Sequence, residues 1–78
     1  MKQIIDGLLY DTDKATLIYK DNNPIRPREY YKTEKGTYFC YYVNVGIINI
    51  IREQVIKDIL AERMVDKYIE LFGNVEEG

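Results

Sequence analysis

The sequence predicts an α+β fold, in which a small antiparallel sheet of three to five short strands carries a C-terminal helical segment on one face. Two observations predict it. The uncharged block 36–51 is rich in Tyr, Val, Ile and Phe, which favour strands. Residues 52–72 place apolar side chains at helical spacing. Such strands and such a helix bury their apolar faces together only if the helix lies across the sheet.

The N-terminal segment predicts a hairpin followed by a short helix. Asp6-Gly7 lies between Ile4-Ile5 and Leu8-Leu9-Tyr10, and this dipeptide is favoured in two-residue hairpin turns. We expect a short helix over residues 11–18, because Asp11 or Thr12 can cap free amides and early acidic side chains suit the positive end of a helix dipole. Asp11-Thr12-Asp13 also resembles the start of a calcium loop, but no acid or glycine follows at the required spacing.

The central third predicts three more strands. Residues 29–33 form one strand, and Gly36 supplies the positive φ that a tight turn needs. Gly46 divides the uncharged block into strands over about 37–44 and 47–51. We expect this block to be central in the sheet, because an exposed apolar strand invites aggregation. One face of the first of these strands carries Thr37, Phe39, Tyr41 and Val43, and the other carries Tyr38, Cys40, Tyr42 and Asn44.

The C-terminal third predicts one helix over 52–72 or two helices with a break near 63–65, and both arrangements fit the periodicity. Gly73 is the expected stop. We therefore predict a single domain over residues 1–73 and a flexible tail over 74–78.

The composition excludes most catalytic chemistry. The chain has no His, no Ser and a single cysteine, Cys40. A structural zinc site therefore lacks its usual ligands, and a Ser-His or Cys-His nucleophile lacks its histidine base. We predict no enzyme activity, no metal and no cofactor, and an inert buried thiol at Cys40. No apolar run of signal-peptide length follows Lys2, and block 36–51 is too short to cross a bilayer, so we expect a cytoplasmic protein that does not enter membranes.

Three segments resemble a group of small proteins from Gram-positive bacteria and their phages and mobile elements. These are the opening Ile4-Ile5-Asp6-Gly7 followed by Leu9-Tyr10-Asp11-Thr12 with Ala15 and Ile18, the hairpin 31–39 and the helix end 68–73. The chain departs from the group's pattern in its short Asn44-Val45-Gly46 loop and in Ile51, where the group tends to have Ser or Thr. The group has no assigned activity, so the resemblance implies only that the chain is an accessory protein of a phage or mobile element. In that setting, small accessory proteins often bind and block a host protein, including defence enzymes.

The candidate binding residues combine basic and aromatic side chains. Tyrosine gives a large contact area with little loss of entropy, and five of the eight tyrosines lie between positions 30 and 42. We assign Tyr10, Phe39 and Tyr41 to the core. The predicted partner-binding residues are Arg28, Tyr30, Tyr31, Lys32, Lys35, Tyr38 and Tyr42.

The leading functional hypothesis is a non-enzymatic module that binds a host protein and inhibits it. An alternative is a nucleic-acid-binding accessory protein, in which basic residues of 26–35 contact phosphates and tyrosines stack on bases. The net charge of −2 counts against this alternative, since dedicated nucleic-acid binders are usually basic. A third alternative is a homodimer formed through an exposed sheet edge.

Overall fold

Six antiparallel strands and two helices form the fold in the computed structural model, which describes residues 1–73 and Gly78. The strands are β1 Lys2–Ile5, β2 Leu8–Asp11, β3 Thr16–Asp21, β4 Arg28–Lys32, β5 Tyr38–Tyr42 and β6 Ile47–Ile51. The helices are α1 Glu53–Arg63 and α2 Val65–Phe72. Strands β1 and β2 form a separate hairpin, and the other four form a sheet in the order β3-β4-β5-β6. The α+β class is therefore confirmed, with more strands than expected.

The β1–β2 hairpin turns at Asp6-Gly7, as the sequence predicts. Ile5 lies opposite Leu8, which leaves two residues in the turn. Asp6 has φ 52° and Gly7 has φ 78°, and a two-residue turn with two positive φ angles matches the twist of its strands. Aspartate tolerates this backbone region better than most residues, and glycine adopts it without steric cost.

The short helix expected over residues 11–18 is wrong. Asp11 Oδ1 accepts the N–H of Asp13 at 2.9 Å, and the carbonyl of Asp11 accepts the N–H groups of Lys14 and Ala15. These bonds close a turn, and Thr16 then begins β3. The run Thr16–Tyr19 consists of β-branched, aliphatic and aromatic residues, which suit a strand, and its pairing with β4 outweighs the local capping signal.

Strands β4, β5 and β6 follow the predicted segments, but the expectation that the whole uncharged block is central in the sheet is wrong. Strand β5 lies between β4 and β6, whereas β6 is the last strand of the sheet. The β4–β5 turn is closed by Thr33, whose Oγ1 accepts the N–H of Thr37 at 3.1 Å. Gly36 has the expected positive φ, 92°.

The four-stranded sheet is covered on both faces. On one face, Tyr30, Tyr38 and Cys40 pack with Ile56 and Leu60 of α1. On the other face lie the hairpin and a second cluster of buried residues, which consists of Tyr10, Tyr31, Phe39 and Ile48. Successive residues of β5 alternate between these two clusters, as strand geometry requires. The fold therefore has three layers: the hairpin, the sheet and the helices.

The C-terminal segment contains two helices, which resolves the alternative that periodicity left open. Met64 has φ −141° and ψ 68°, a non-helical conformation that separates α1 from α2. Helix α2 ends at Phe72, and Gly73 follows with φ 87°, so the predicted stop is confirmed. The flexible tail is predicted over residues 74–78, of which 74–77 lie outside the described part of the chain. Neither of the two described helices is long and apolar enough to cross a membrane.

We predict that Phe39→Ala destabilises the protein by about 3–5 kcal/mol, because it removes a large ring that packs against both the hairpin and its own sheet. Phe39 is completely buried. Leu17→Ala is the matched control, since Leu17 lies on the same face but is 44% exposed, and we expect it to cost less than about 1 kcal/mol. Urea denaturation measures both values, and equal losses would contradict the three-layer packing.

Candidate functional site

Three of the predicted binding tyrosines lie in the core. Tyr30 and Tyr38 are each 5% exposed on the helix side of the sheet, and Tyr31 is 8% exposed on the hairpin side. The ring of Tyr31 stacks on Phe39 with 5.1 Å between ring centres. The expectation that these rings are open to a partner is therefore corrected. Its physical reason is that both faces of β4 and β5 are covered, so no ring at these positions faces solvent.

The other four predicted binding residues occupy different places. Arg28 Nη2 lies 3.6 Å from Asp21 Oδ2 on the neighbouring strand. Lys32 Nζ lies over the ring of Tyr38, 5.5 Å from its centre, and Tyr42 is partly buried against the helix-side core. Lys35 is exposed in the β4–β5 turn. Of the seven, only Lys35 has a fully exposed position from which to contact another molecule.

The basic residues of 26–35 do not form one surface. Arg26 is exposed in the loop before β4, whereas Lys35 follows the opposite end of this strand. The five residues of β4 alone span about 13 Å. Nearby charges are also paired: Lys20 Nζ lies 3.6 Å from Glu29 Oε2. A nucleic acid would therefore meet separated positive charges and buried rings, rather than a basic groove with stacking platforms.

Burial raises the pKa of two tyrosine hydroxyls and of the Cys40 thiol. The Tyr31 hydroxyl donates to Glu29 Oε1 at 2.7 Å, and burial together with this hydrogen bond raises the pKa of Tyr31. Burial also raises the pKa of Tyr30 to about 12 and raises the pKa of the Cys40 thiol. All three groups therefore keep their protons near neutral pH. Within residues 1–73, no group of His, Cys, Asp and Glu side chains could hold a metal ion.

A groove of about 500 Å³ opens between the β1–β2 hairpin and the β4–β5 turn. On the hairpin side it is lined by Leu8, Leu9 and Tyr10. The rest of the lining is polar or charged apart from Ala15, and consists of Asp11, Lys14, Ala15, Thr33, Glu34, Lys35 and Thr37. An open cleft with an aliphatic wall and a charged rim can accept a segment of another molecule that has matching chemistry.

The outer side of the hairpin extends this apolar wall. Ile4 lies directly opposite Leu9, and these side chains are 72% and 52% exposed. Leu8, at the tip of the hairpin, is also 52% exposed. We call Ile4, Leu8 and Leu9 the hairpin surface. Ile4 and Leu9 form an exposed apolar pair on the outer face of the hairpin. Leu8, which strand alternation places on the opposite face with Ile5, adds exposed aliphatic surface at the tip. Exposed apolar surface of this kind marks interaction sites on small proteins.

The position of the hairpin surface is fixed by the residues on its inner side. Tyr10 packs edge-on against Phe39, with 5.7 Å between ring centres and 77° between ring planes. Gln3, which lies opposite Tyr10, also faces the sheet, and its Oε1 accepts the N–H of Ile48 at 3.0 Å. Strand alternation then directs Ile4 and Leu9 away from the sheet.

Sequence reasoning did not identify the hairpin surface as a site. The signal was nevertheless present, because Ile4-Ile5 and Leu8-Leu9 place aliphatic residues on both faces of a two-stranded element. Only one face of a hairpin can pack on a sheet, so the other face of such a sequence has to remain exposed.

No family model, curated protein or solved structure matches this chain. Function is therefore inferred from the surface itself.

We predict that the free energy of unfolding falls as the pH rises from about 10 to about 12. The unfolded chain releases a tyrosine proton near pH 10, whereas folded Tyr30 holds its proton to about pH 12, so rising pH favours the unfolded state in this range. Tyr30→Phe removes this contribution and should reduce the slope, with its stability at pH 7 as the internal reference. Urea denaturation at several pH values measures the slope, and identical slopes for the two proteins would refute the assignment.

Proposed function

We propose that this chain is a non-enzymatic module that binds a partner protein through the hairpin surface and the adjoining groove. The observation that carries the proposal is the exposure of Ile4, Leu8 and Leu9 beside a groove with a charged rim. Leaving this much aliphatic surface in water is unfavourable by roughly 25 cal/mol for each Å², and a partner that covers it recovers this free energy.

The rim of the groove indicates the chemistry of the partner segment. Lys14 and Lys35 line the groove, and neither forms an ion pair with another side chain in the part of the chain that the structure describes. We expect the partner to present aliphatic or aromatic side chains to the hairpin surface and a carboxylate to these ammonium groups. Lys35 then has the partner-binding role that the sequence predicts for it.

The resemblance of the opening, the hairpin and the helix end to small phage and mobile-element proteins adds a setting to this proposal. In that setting the partner is a host protein, and binding blocks its activity, as for an inhibitor of a host defence enzyme. The fold supports the binding half of this proposal, because a rigid hairpin held by Tyr10 presents its outer side chains in a fixed arrangement.

We predict that the double variant Ile4→Ser/Leu9→Ser loses partner binding by tenfold or more, since removing apolar anchors from an interface costs about 1–2 kcal/mol or more. Both side chains are exposed, so the fold should persist. Ile25→Ser is the matched control, because Ile25 is an apolar residue that is 79% exposed in a distant loop. The measurement is an affinity pull-down of the tagged protein from bacterial lysate, with and without nuclease, read by mass spectrometry.

The outcomes of the pull-down separate the hypotheses. A protein retained by the wild type and the Ile25→Ser control, but not by the double variant, supports the proposal, and its activity can then be assayed with and without this chain. Retention by all three proteins would reject the hairpin surface. Retained material that disappears after nuclease treatment would favour the nucleic-acid alternative instead.

Charge reversal tests the rim of the groove. We predict that Lys35→Glu weakens binding of the same partner by several fold, because the new carboxylate repels the partner carboxylate that is expected to face Lys35. Arg26→Glu is the control, since Arg26 is exposed but lies at the other end of β4. Equal losses in both variants would instead indicate a basic surface over residues 26–35. Binding constants from titration calorimetry measure the two effects.

A further inference from the structure

The two edge strands of the four-stranded sheet, β3 and β6, differ in how well they are protected against pairing with a further strand. Strand β3 carries the charged residues Lys20 and Asp21 and an irregularity in register between Leu17 and Tyr19, features that discourage a further strand from pairing. Strand β6 has the sequence Ile-Ile-Asn-Ile-Ile, with an unbroken register along β5. It contains no charge, no proline and no bulge. Among the described residues, β6 pairs with β5 alone.

The direction of one hydrogen bond shows which backbone groups of β6 face outward. The N–H of Ile48 donates to the side chain of Gln3 and is therefore turned away from β5. Because these directions alternate along an antiparallel strand, the N–H and C=O groups of Ile50 face the same open edge. The outward groups of β6 thus belong to Ile48 and Ile50, one residue on each side of Asn49.

The sequence of β6 reads the same in both directions about Asn49. An antiparallel copy centred on Asn49 places Ile48 opposite Ile50 of the second copy, so the outward groups meet each other. It also places Ile47 opposite Ile51 of the second copy, and Asn49 opposite its own equivalent. Self-complementarity of this kind is what a two-fold symmetric interface requires.

We propose that β6 pairs with the β6 strand of a second copy of this chain, and that the two sheets join into one of eight strands. The pairing also covers apolar surface, since Ile47 is 47% exposed and Ile50 is 43% exposed in the single chain. The paired strands share their faces, so the helices of both copies lie on the same side of the joined sheet. This surface is separate from the hairpin surface, and either proposal can fail without the other.

Gln3 competes with this pairing. Its Oε1 accepts the Ile48 N–H in the single chain, and the carbonyl of Ile50 from the second copy takes over that bond in the dimer. Gln3 therefore protects the edge at low protein concentration and leaves it when the second strand arrives. The interface is small, so we expect a dissociation constant on the order of 100 µM.

The test uses Asn49, which is exposed and lies next to the two-fold axis of the proposed dimer, opposite its own equivalent. Its equivalents come within about 4.5–5.5 Å at their Cβ atoms, so Asn49→Asp or Asn49→Lys each place like charges together. We expect each variant alone to dimerise at least about fivefold more weakly than the wild type, and an equal mixture of the two to form a heterodimer at least about tenfold tighter than either. Asn22→Asp and Asn22→Lys make the same charge changes at an exposed loop position and serve as controls.

Sedimentation velocity at protein concentrations from about 10 µM to about 1 mM measures the fraction of dimer for each protein and for the mixture. Circular dichroism checks that each variant is folded. Recovery of a dimer in the mixture of Asp and Lys variants, with unchanged controls, supports the pairing. A wild-type chain that stays monomeric over the whole range overturns it. A wild-type dimer that both Asn49 variants retain also overturns it, because association then uses another surface.

A second variant tests the competition by Gln3. Gln3→Ala removes the acceptor of the Ile48 N–H in the single chain but leaves the proposed strand pairing intact. Each copy loses one competing hydrogen bond, and one hydrogen bond usually changes an equilibrium about fivefold. We therefore expect the dissociation constant of the dimer to fall by about fivefold for each of the two copies. An unchanged or weaker dimer would show that Gln3 does not compete for this edge.

Discussion

Burial of β5 on both faces is the constraint on which the rest of the structure depends. Phe39 needs the hairpin above it, and Cys40 needs α1 on the opposite side. A single covering layer would leave half of this strand in water, and its aromatic rings would be exposed. The chain meets this requirement with the smallest elements available, a hairpin of two four-residue strands and a helix of eleven residues.

Thin layers have a cost, because each covering element has an outer face with nothing over it. The hairpin uses Ile5 and Tyr10 to complete the core and leaves Ile4 and Leu9 in solvent. Helix α2 directs Tyr68 and Phe72 inward and leaves Val65 57% exposed. Asp21 of β3 links the sheet to the helix layer at one end, since its Oδ2 lies 3.2 Å from Arg63 Nη1 of α1 and 3.6 Å from Arg28 Nη2 of β4. Apolar outer faces on a firmly joined framework are well suited to binding other proteins.

Local signals in the sequence predicted the turns and the strands β4 to β6, because Asp6-Gly7, Gly36 and Gly73 specify backbone conformations by themselves. They failed over residues 11–18, where capping residues are compatible with both a helix and a turn, and only pairing with β4 decides. They also failed for Tyr30, Tyr31 and Tyr38. Whether a ring in an apolar strand is buried depends on what covers each face, and the covering elements are other segments of the chain: α1 for Tyr30 and Tyr38, and the hairpin for Tyr31. For the same reason, the exposed side of that hairpin was not identified as a site.

Cys40 gives this protein a built-in reporter. It is the only cysteine, it is 1% exposed, and it lies at the middle of β5. A thiol reagent therefore reaches it only when the sheet opens, and the rate of alkylation measures how often that opening occurs. A molecule that binds only the folded chain lowers the rate, because it stabilises the folded state and so reduces the population of the open state. The alkylation rate of Cys40 can therefore report ligand binding without an introduced cysteine.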